Sequence, residues 1–381
     1  MLVNGKPYRS LWESKDGASV FIIDQRWLPH RFVIEEIRTV EQMATAIREM
    51  HVRGAVLIGA AAAYGMVLAA RQALSLSPSE FHSALRKAAQ QLLQTRPTAI
   101  NLQWAIEQQL AHLQENSDPA TVLAAVLTTA RKIVDEDLHR CASIGQYGFA
   151  ILEQLIKKKS GQPLNILTHC NAGWLGCIDY GTATAPIYHA AEHGLPLHVW
   201  VDETRPWNQG ARLTAWELAQ QGIPHTVIAD NAAAHLMQRG MVDIVIIGAD
   251  RVTRTGDVAN KIGSLEKAVC AHYFDVPVYV ALPTSSIHWE LSDGVADIPI
   301  EERSADEVHY VSGWNTSAQE LCTVRITPRE SPARNWAFDV TPATFITGFI
   351  TEFGVFAPSE LDTLRSKIAP SVETPYDTTQ Q

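Results

Sequence analysis

From residue 164 onward, short apolar runs alternate with helix-length amphipathic stretches, and this alternation restricts the fold more than any other feature. The runs cover residues 164–170, 197–201, 226–229, 243–247 and 276–282. Between them lie helical patterns such as 211–221, stopped by Gly222, and 231–239, stopped by Gly240. Strands apolar on both sides must be covered on both faces, and strands joined through helices run parallel. A Rossmann-like, doubly wound parallel sheet domain is therefore expected over 161–368. One further helix is expected over 339–354, with Pro342 near its start.

The first 160 residues read as a mainly helical domain. Thr39 with Gln42 forms a candidate capping box, and Ser77-Pro78-Ser79-Glu80 is another, with proline at the first helical position. Leu102, Ile106, Leu110 and Leu113 recur on one helical face. Asp118-Pro119 opens a long helical stretch, and Lys157, Lys158 and Lys159 before Gly161 suit its C-terminus. The Ala- and Gly-rich stretch between Arg53 and Arg71 is too short to cross the roughly 30 Å hydrocarbon layer comfortably and reads as a buried helix. With 46% hydrophobic and 19% charged residues in 381, the chain suffices for two folded units, followed by a polar tail over 369–381.

The formal charge of −10 argues against nucleic acid or an anionic membrane as partner, while leaving room for a local basic pocket. Cysteines stand at 141, 170, 177, 270 and 322, an odd number without CxxC spacing. That pattern excludes a disulfide scaffold and the common zinc motifs, and points to a reducing, cytoplasmic setting. The N-terminal stretch lacks the apolar core of a signal peptide, so none is expected.

Open parallel sheets bind ligands at the carboxyl ends of their strands. The polar pairs that end the apolar runs, Cys170-Asn171, Asp202-Glu203, Asp230-Asn231 and Asp250-Arg251, are accordingly expected to line one crevice. No Gly-x-Gly occurs, which removes the dinucleotide fingerprint, and the Walker A pattern, Gly-x-Ser-x-Gly and His-Glu-x-x-His are missing too. Cys170 is a candidate nucleophile or acid–base group, or simply a small buried hydrophobe. Asp250 leaves an apolar strand, where burial would raise its pKa towards that of a proton donor; a loop cap is the alternative. Residues 251–263, with Arg251, Arg254, Asn260, Lys261, Gly256 and Gly263, read as a glycine-containing loop feeding a helix N-terminus, suited to phosphate. Arg53-Gly54-Ala55 and Arg96-Pro97-Thr98 are further candidate anion sites. Arg205 and Gln209 are polar candidates at the crevice or on a surface loop.

Taken together, RGAVLIGAAAAYG (53–65), RPTAINLQWA (96–105), LTHCNAG (167–173), DETRPWNQGARLTAWEL (202–218), IGADR (247–251) and GDVANKIG (256–263) resemble the methylthioribose-1-phosphate isomerase family. That family belongs to a group that includes ribose-1,5-bisphosphate isomerases and regulatory subunits of a translation-initiation nucleotide-exchange factor. The resemblance implies an aldose–ketose isomerisation of 5-methylthioribose 1-phosphate in methionine salvage, without metal or cofactor, by a homodimer. It implies Asp250 as proton donor and Cys170 as base or transition-state stabiliser. Arg53, Gly54, Ala55, Arg96, Gln209, Asn260 and Lys261 would bind substrate. A 5-deoxypentose 1-phosphate or ribose 1,5-bisphosphate is the alternative substrate, and a non-catalytic regulatory subunit the alternative role. Trp174, Trp207 and the IGSLEKA stretch depart from the commoner family pattern, and either tryptophan is a candidate wall for the substrate's 5-substituent or a packing residue.

Overall fold

The computed structural model describes residues 1–96, 99–113 and 117–368. Six parallel strands form its central sheet: Leu164–Thr168, Leu197–Asp202, His225–Ile228, Ile244–Ile247, Val278–Ala281 and Gly348–Thr351. The antiparallel strand Gly354–Phe356 closes one edge. Numbered along the chain, the parallel strands lie in the order 6-5-4-1-2-3. The first pairs on one side with the second (Leu164 opposite Leu197) and on the other with the fourth (Ile166 opposite Ile244). Strand order therefore reverses between the first and fourth strands, the position where such sheets open a crevice. All four residues of Ile244–Ile247 are buried, as a strand covered on both faces requires.

The helical half is built around Ala55–Ala73, buried over most of its length. Among the described residues it is the one helix long and apolar enough to cross a membrane, and here it is a core helix. Its small side chains let the neighbouring helices Pro78–Leu93, Ile100–Leu110 and Pro119–Ile156 approach closely. A Cβ on Gly59 would lie 3.1 Å from the Asn101 carbonyl oxygen. Both predicted capping boxes form, at Thr39/Gln42 and Ser77/Glu80. Asp118 caps Pro119–Ile156, a 38-residue helix that also packs on the sheet domain. It reaches helix Ala185–Glu192 through Gly145 and Gly148, where a Cβ would lie 2.3 Å from His189 and Pro186.

The mainly helical N-terminal region also carries an antiparallel sheet of Leu11–Glu13, Val20–Ile23 and Ile34–Ile37. These strands are too short for periodicity to register, although Val20, Ile22 and Ile37 alternate inward. Two expectations are corrected. No helix spans 339–354. Phe338–Thr341, Gly348–Thr351 and Gly354–Phe356 are strands, because threonine, isoleucine and phenylalanine crowd a helix and fit a pleated sheet. Residues 251–263 are not a simple loop either, since Arg251–Thr253 and Val258–Lys261 pair as an antiparallel hairpin.

Candidate active site

Cys170 follows the first parallel strand and Asp250 the fourth, so the strand reversal brings these two residues to one cavity. The hairpin after Asp250 adds Asn260 and Lys261 to its wall. The start of helix Ala55–Ala73 adds Arg53, Gly54 and Ala55; Arg96 and Gln209 complete the set. All nine residues to which the family resemblance assigned catalysis or substrate binding thus line the same cavity. Pro97 and Thr98, named with Arg96, lie outside the described residues.

Cys170 is buried and adopts φ +64°, an unusual conformation for a residue with a side chain. Two threonines hold it there. Its N–H donates to Thr204 Oγ1 at 2.8 Å, and its carbonyl accepts from Thr214 Oγ1 at 2.6 Å. The thiol donates to Gln209 Oε1 at 3.3 Å. Burial pushes the thiol pKa up, while the Lys261 and Arg53 cations pull it back.

Asp250 opens onto the cavity and is exposed there, with its backbone N–H tied to Ala259 O at 3.0 Å. Its carboxylate accepts no hydrogen bond among the described residues. The protein packed behind it removes enough water to raise its pKa, against the pull of Lys261, Arg53 and Arg96. A carboxyl group that faces a cavity and retains its proton more readily than usual can act as a general acid.

The cations are disposed for an anion. Lys261 makes no ion pair among the described residues; its ammonium lies 5.2 Å from the Phe338 ring centroid. Arg96 Nη2 is 4.0 Å from Glu301, and its Nε has no partner among the described residues. Arg53 donates through Nη2 to Asn171 O at 2.6 Å and through Nη1 to Asn171 Oδ1. Gly54 precedes the helix at φ +96° and supplies no side-chain cap, and the first helical turn borders the cavity through Ala55 and Val56. A Cβ there would lie 2.3 Å from Gly176 O.

Other expectations change. Asp202 and Asp230 do not line the crevice. Asp202 is fully buried, with Oδ2 2.9 Å from His169 Nδ1, and Asp230 accepts the N–H groups of Thr204 and Arg205 at 2.5 and 2.8 Å. His169 Nε2 lies 2.8 Å from Ile262 O and must donate to it. Helix Ser264–Tyr273 does not offer its N-terminus to a phosphate, because Asp339 accepts from Gly263 and Leu265 N–H at 2.6 and 3.1 Å. Arg205 turns away to the carbonyls of Pro206 and Val308. Trp174 is wholly buried against Trp216, whereas Trp207 does line the cavity. The charged 298–303 segment supplies Ile298, Glu301 and Arg303 to the wall.

Asn171 borders the cavity, as expected from its strand-end position, but sequence reasoning missed the support that it, Thr214 and Glu217 provide. Asn171 and Thr214 hold Arg53 and Cys170, and buried Glu217 holds Asn171 at 2.9 Å. One signal existed: Glu217 falls four residues after Leu213, on the apolar face of its helix. Two acid–histidine groups, Asp24/Glu35/His51 and His169/Asp202/Asp230, have donor atoms close enough for a metal ion. Both are engaged internally, as in the 2.6 Å contact of His51 with Glu35.

The model of the initiation factor 2 subunit family matches residues 51–358. A Desulfosudis oleivorans protein named methylthioribose-1-phosphate isomerase is 52% identical over 349 residues, covering 92% of this chain and 94% of its own. The crystal structure of 5-methylthioribose 1-phosphate isomerase from Pyrococcus horikoshii OT3 superposes with a TM-score of 0.81 at 40% identity, over 95% of this chain and 97% of that one. A structure described as translation initiation factor eIF-2B, subunit delta, from A. fulgidus gives 0.77 at 38% identity, over 93% and 97%. Matched over most of its length by family model, relative and fold alike, the chain belongs to the initiation factor 2 subunit family and, within it, to the methylthioribose-1-phosphate isomerases.

Proposed function

We propose that this protein isomerises 5-methylthioribose 1-phosphate to 5-methylthioribulose 1-phosphate, the methionine-salvage reaction, with Asp250 and Cys170 as its reacting groups. The observation that carries the reading is the meeting of a cavity-facing carboxyl, a buried thiol and three cationic side chains in one cavity at the strand reversal. Phosphate on the anomeric oxygen prevents ordinary ring opening to a free aldehyde. Asp250 therefore gives its proton to the ring oxygen as the C1–O bond breaks. The hydrogen on C2 then moves to C1, with Cys170 as thiolate base or as the group that stabilises developing charge. The proton of the C2 hydroxyl leaves as the ketone forms, and the Asp250 carboxylate takes it back. Arg53, Arg96, Lys261 and the N–H groups after Gly54 hold the phosphate. Gln209 and Asn260 orient the sugar, and Trp207 bounds its 5-substituent.

A phosphorus and proton NMR time course with 5-methylthioribose 1-phosphate tests this. Wild type should form the ketose phosphate, and Cys170→Ala and Asp250→Asn should each lose at least about 100-fold in rate. Full activity in either variant removes that residue from the mechanism. In deuterated water, deuterium at C1 of the product marks proton transfer, and its absence marks a hydride shift. The same proposal takes the protein as a cytoplasmic homodimer whose chain divides near residue 160. Sedimentation at micromolar concentration and limited proteolysis test the dimer and the division.

A further inference from the structure

Glu217 is fully buried on helix Ala215–Gln220, directly after the π-helical turn Gly210–Thr214. Among the described residues no cation touches its carboxylate, and four neutral donors satisfy it. Oε1 accepts from Asn171 Nδ2 and Leu175 N, both at 2.9 Å. Oε2 accepts from Tyr188 Oη at 2.7 Å and Trp174 N at 3.1 Å. An isolated buried carboxylate is costly, and a leucine here would pack without that cost. The charge has a direction, however. Asn171 turns its Nδ2 towards Glu217 and towards Thr214 Oγ1 at 3.1 Å, which leaves Oδ1 for Arg53 Nη1. A carboxylate accepts only, so it fixes the amide with nitrogen inward and oxygen towards Arg53. The same carboxylate grips residues 174 and 175, the turn that seats Gly176 against Gly54. A Cβ on Gly173 would lie 1.8 Å from Glu217 Oε2, so the turn closes directly over it.

We propose that Glu217 is a positioning residue for the reaction, acting through Asn171 and the 174–176 turn to hold the Arg53 guanidinium and the Gly54 backbone in register with the substrate phosphate. The inference rests on Arg53 being a substrate ligand. Its test is a double-mutant cycle of Glu217→Gln with Arg53→Lys, reading kcat, KM and competitive inhibition by inorganic phosphate. Glutamine keeps the shape but can also donate, so Asn171 loses its fixed orientation. Glu217→Gln alone should raise KM and the phosphate inhibition constant about 10-fold or more, with a smaller change in kcat. In the Arg53→Lys background, where the paired contact is already gone, the same substitution should cost less than about threefold. Equal cost in both backgrounds overturns the proposal, as does wild-type phosphate inhibition in Glu217→Gln. If Glu217→Gln does not fold, Asn171→Ala cuts the link while leaving three donors on Glu217, and the same two outcomes apply. An Arg53→Lys single variant with unchanged KM and phosphate inhibition refutes instead the substrate site beneath the proposal, so the two failures are distinguishable.

Discussion

Replacing Gly54 with alanine separates the two reasons for glycine at that position, because Gly161 supplies a control. Gly54 has φ +96° and ψ 138°, a region that side chains avoid at a cost of about 1–3 kcal/mol. Its Cβ would in addition lie 2.3, 2.6 and 2.8 Å from the O, Cα and C of Gly176. Those are backbone atoms, which cannot rotate away, and forced overpacking costs about 1–3 kcal/mol more. The sum is about 2–6 kcal/mol. Gly161 has φ +85° and nothing within 4 Å of its Cβ, so Gly161→Ala should cost only the strain, about 1–2 kcal/mol. Alanine stiffens the unfolded chain equally in both variants, and that term cancels in the comparison. Urea unfolding of wild type and both variants reads the difference. Gly54→Ala should be destabilised more than Gly161→Ala by at least about 1 kcal/mol. Relief of the clash also moves Arg53 and the first helical turn, and a displacement approaching 1 Å costs up to about 100-fold in rate. Gly54→Ala should therefore lose about 10- to 100-fold in kcat/KM, while Gly161→Ala retains the wild-type value. Equal destabilisation and equal activity in the two variants would refute the close approach of Gly54 to Gly176 and the importance assigned to it.

Three further outcomes follow from the charges. Because burial holds the Cys170 thiol pKa up, its alkylation by iodoacetamide should be slow at neutral pH and accelerate above the ordinary thiol range; Lys261→Gln, which removes a cation that lowers that pKa, should move the rise to higher pH. An Asp250 that acts as an acid requires kcat/KM to fall as pH rises through its elevated pKa, and Arg96→Gln should shift that fall upward; an unchanged midpoint sinks the electrostatic account. Asp137, buried in the long helix, has its pKa raised to about 6 from the usual 3.8, chiefly by burial. The folded state then holds the extra proton between these values, so the group favours folding most below pH 3.8, loses that contribution as pH rises to about 6, and changes nothing above. Asp137→Asn should remove up to about 3 kcal/mol from the stability difference between pH 4 and pH 7, and an identical difference in wild type and variant refutes the assignment.

The cavity's polar lining was legible in the sequence because each group stands at a punctuation mark. Cys170 and Asp250 end apolar runs, Gly54 precedes an apolar helix, and Gln209 and Lys261 occupy segments too polar for a core. Strand order was not legible, because pairing depends on contacts among residues far apart in the chain. Without it, Asp202 and Asp230 looked equivalent to Asp250, although their strands lie to one side of the reversal and their carboxylates serve His169 and the 204–205 turn. The error at 339–354 has a related origin. The aromatic and β-branched residues there mimic a helical face, and only pairing with Val278–Ala281 makes them a strand. Glu217 was hidden for a different reason. A buried charge contradicts the apolar periodicity from which a helix is recognised, and its donors come from residues 171, 174, 175 and 188 on other elements. Local pattern therefore identifies residues that face the cavity, while the residues that hold them in place are visible only once the chain has closed around them. A charged residue on an otherwise apolar helical face is the trace such support leaves in a sequence, and in this chain it leads from Glu217 through Asn171 to Arg53.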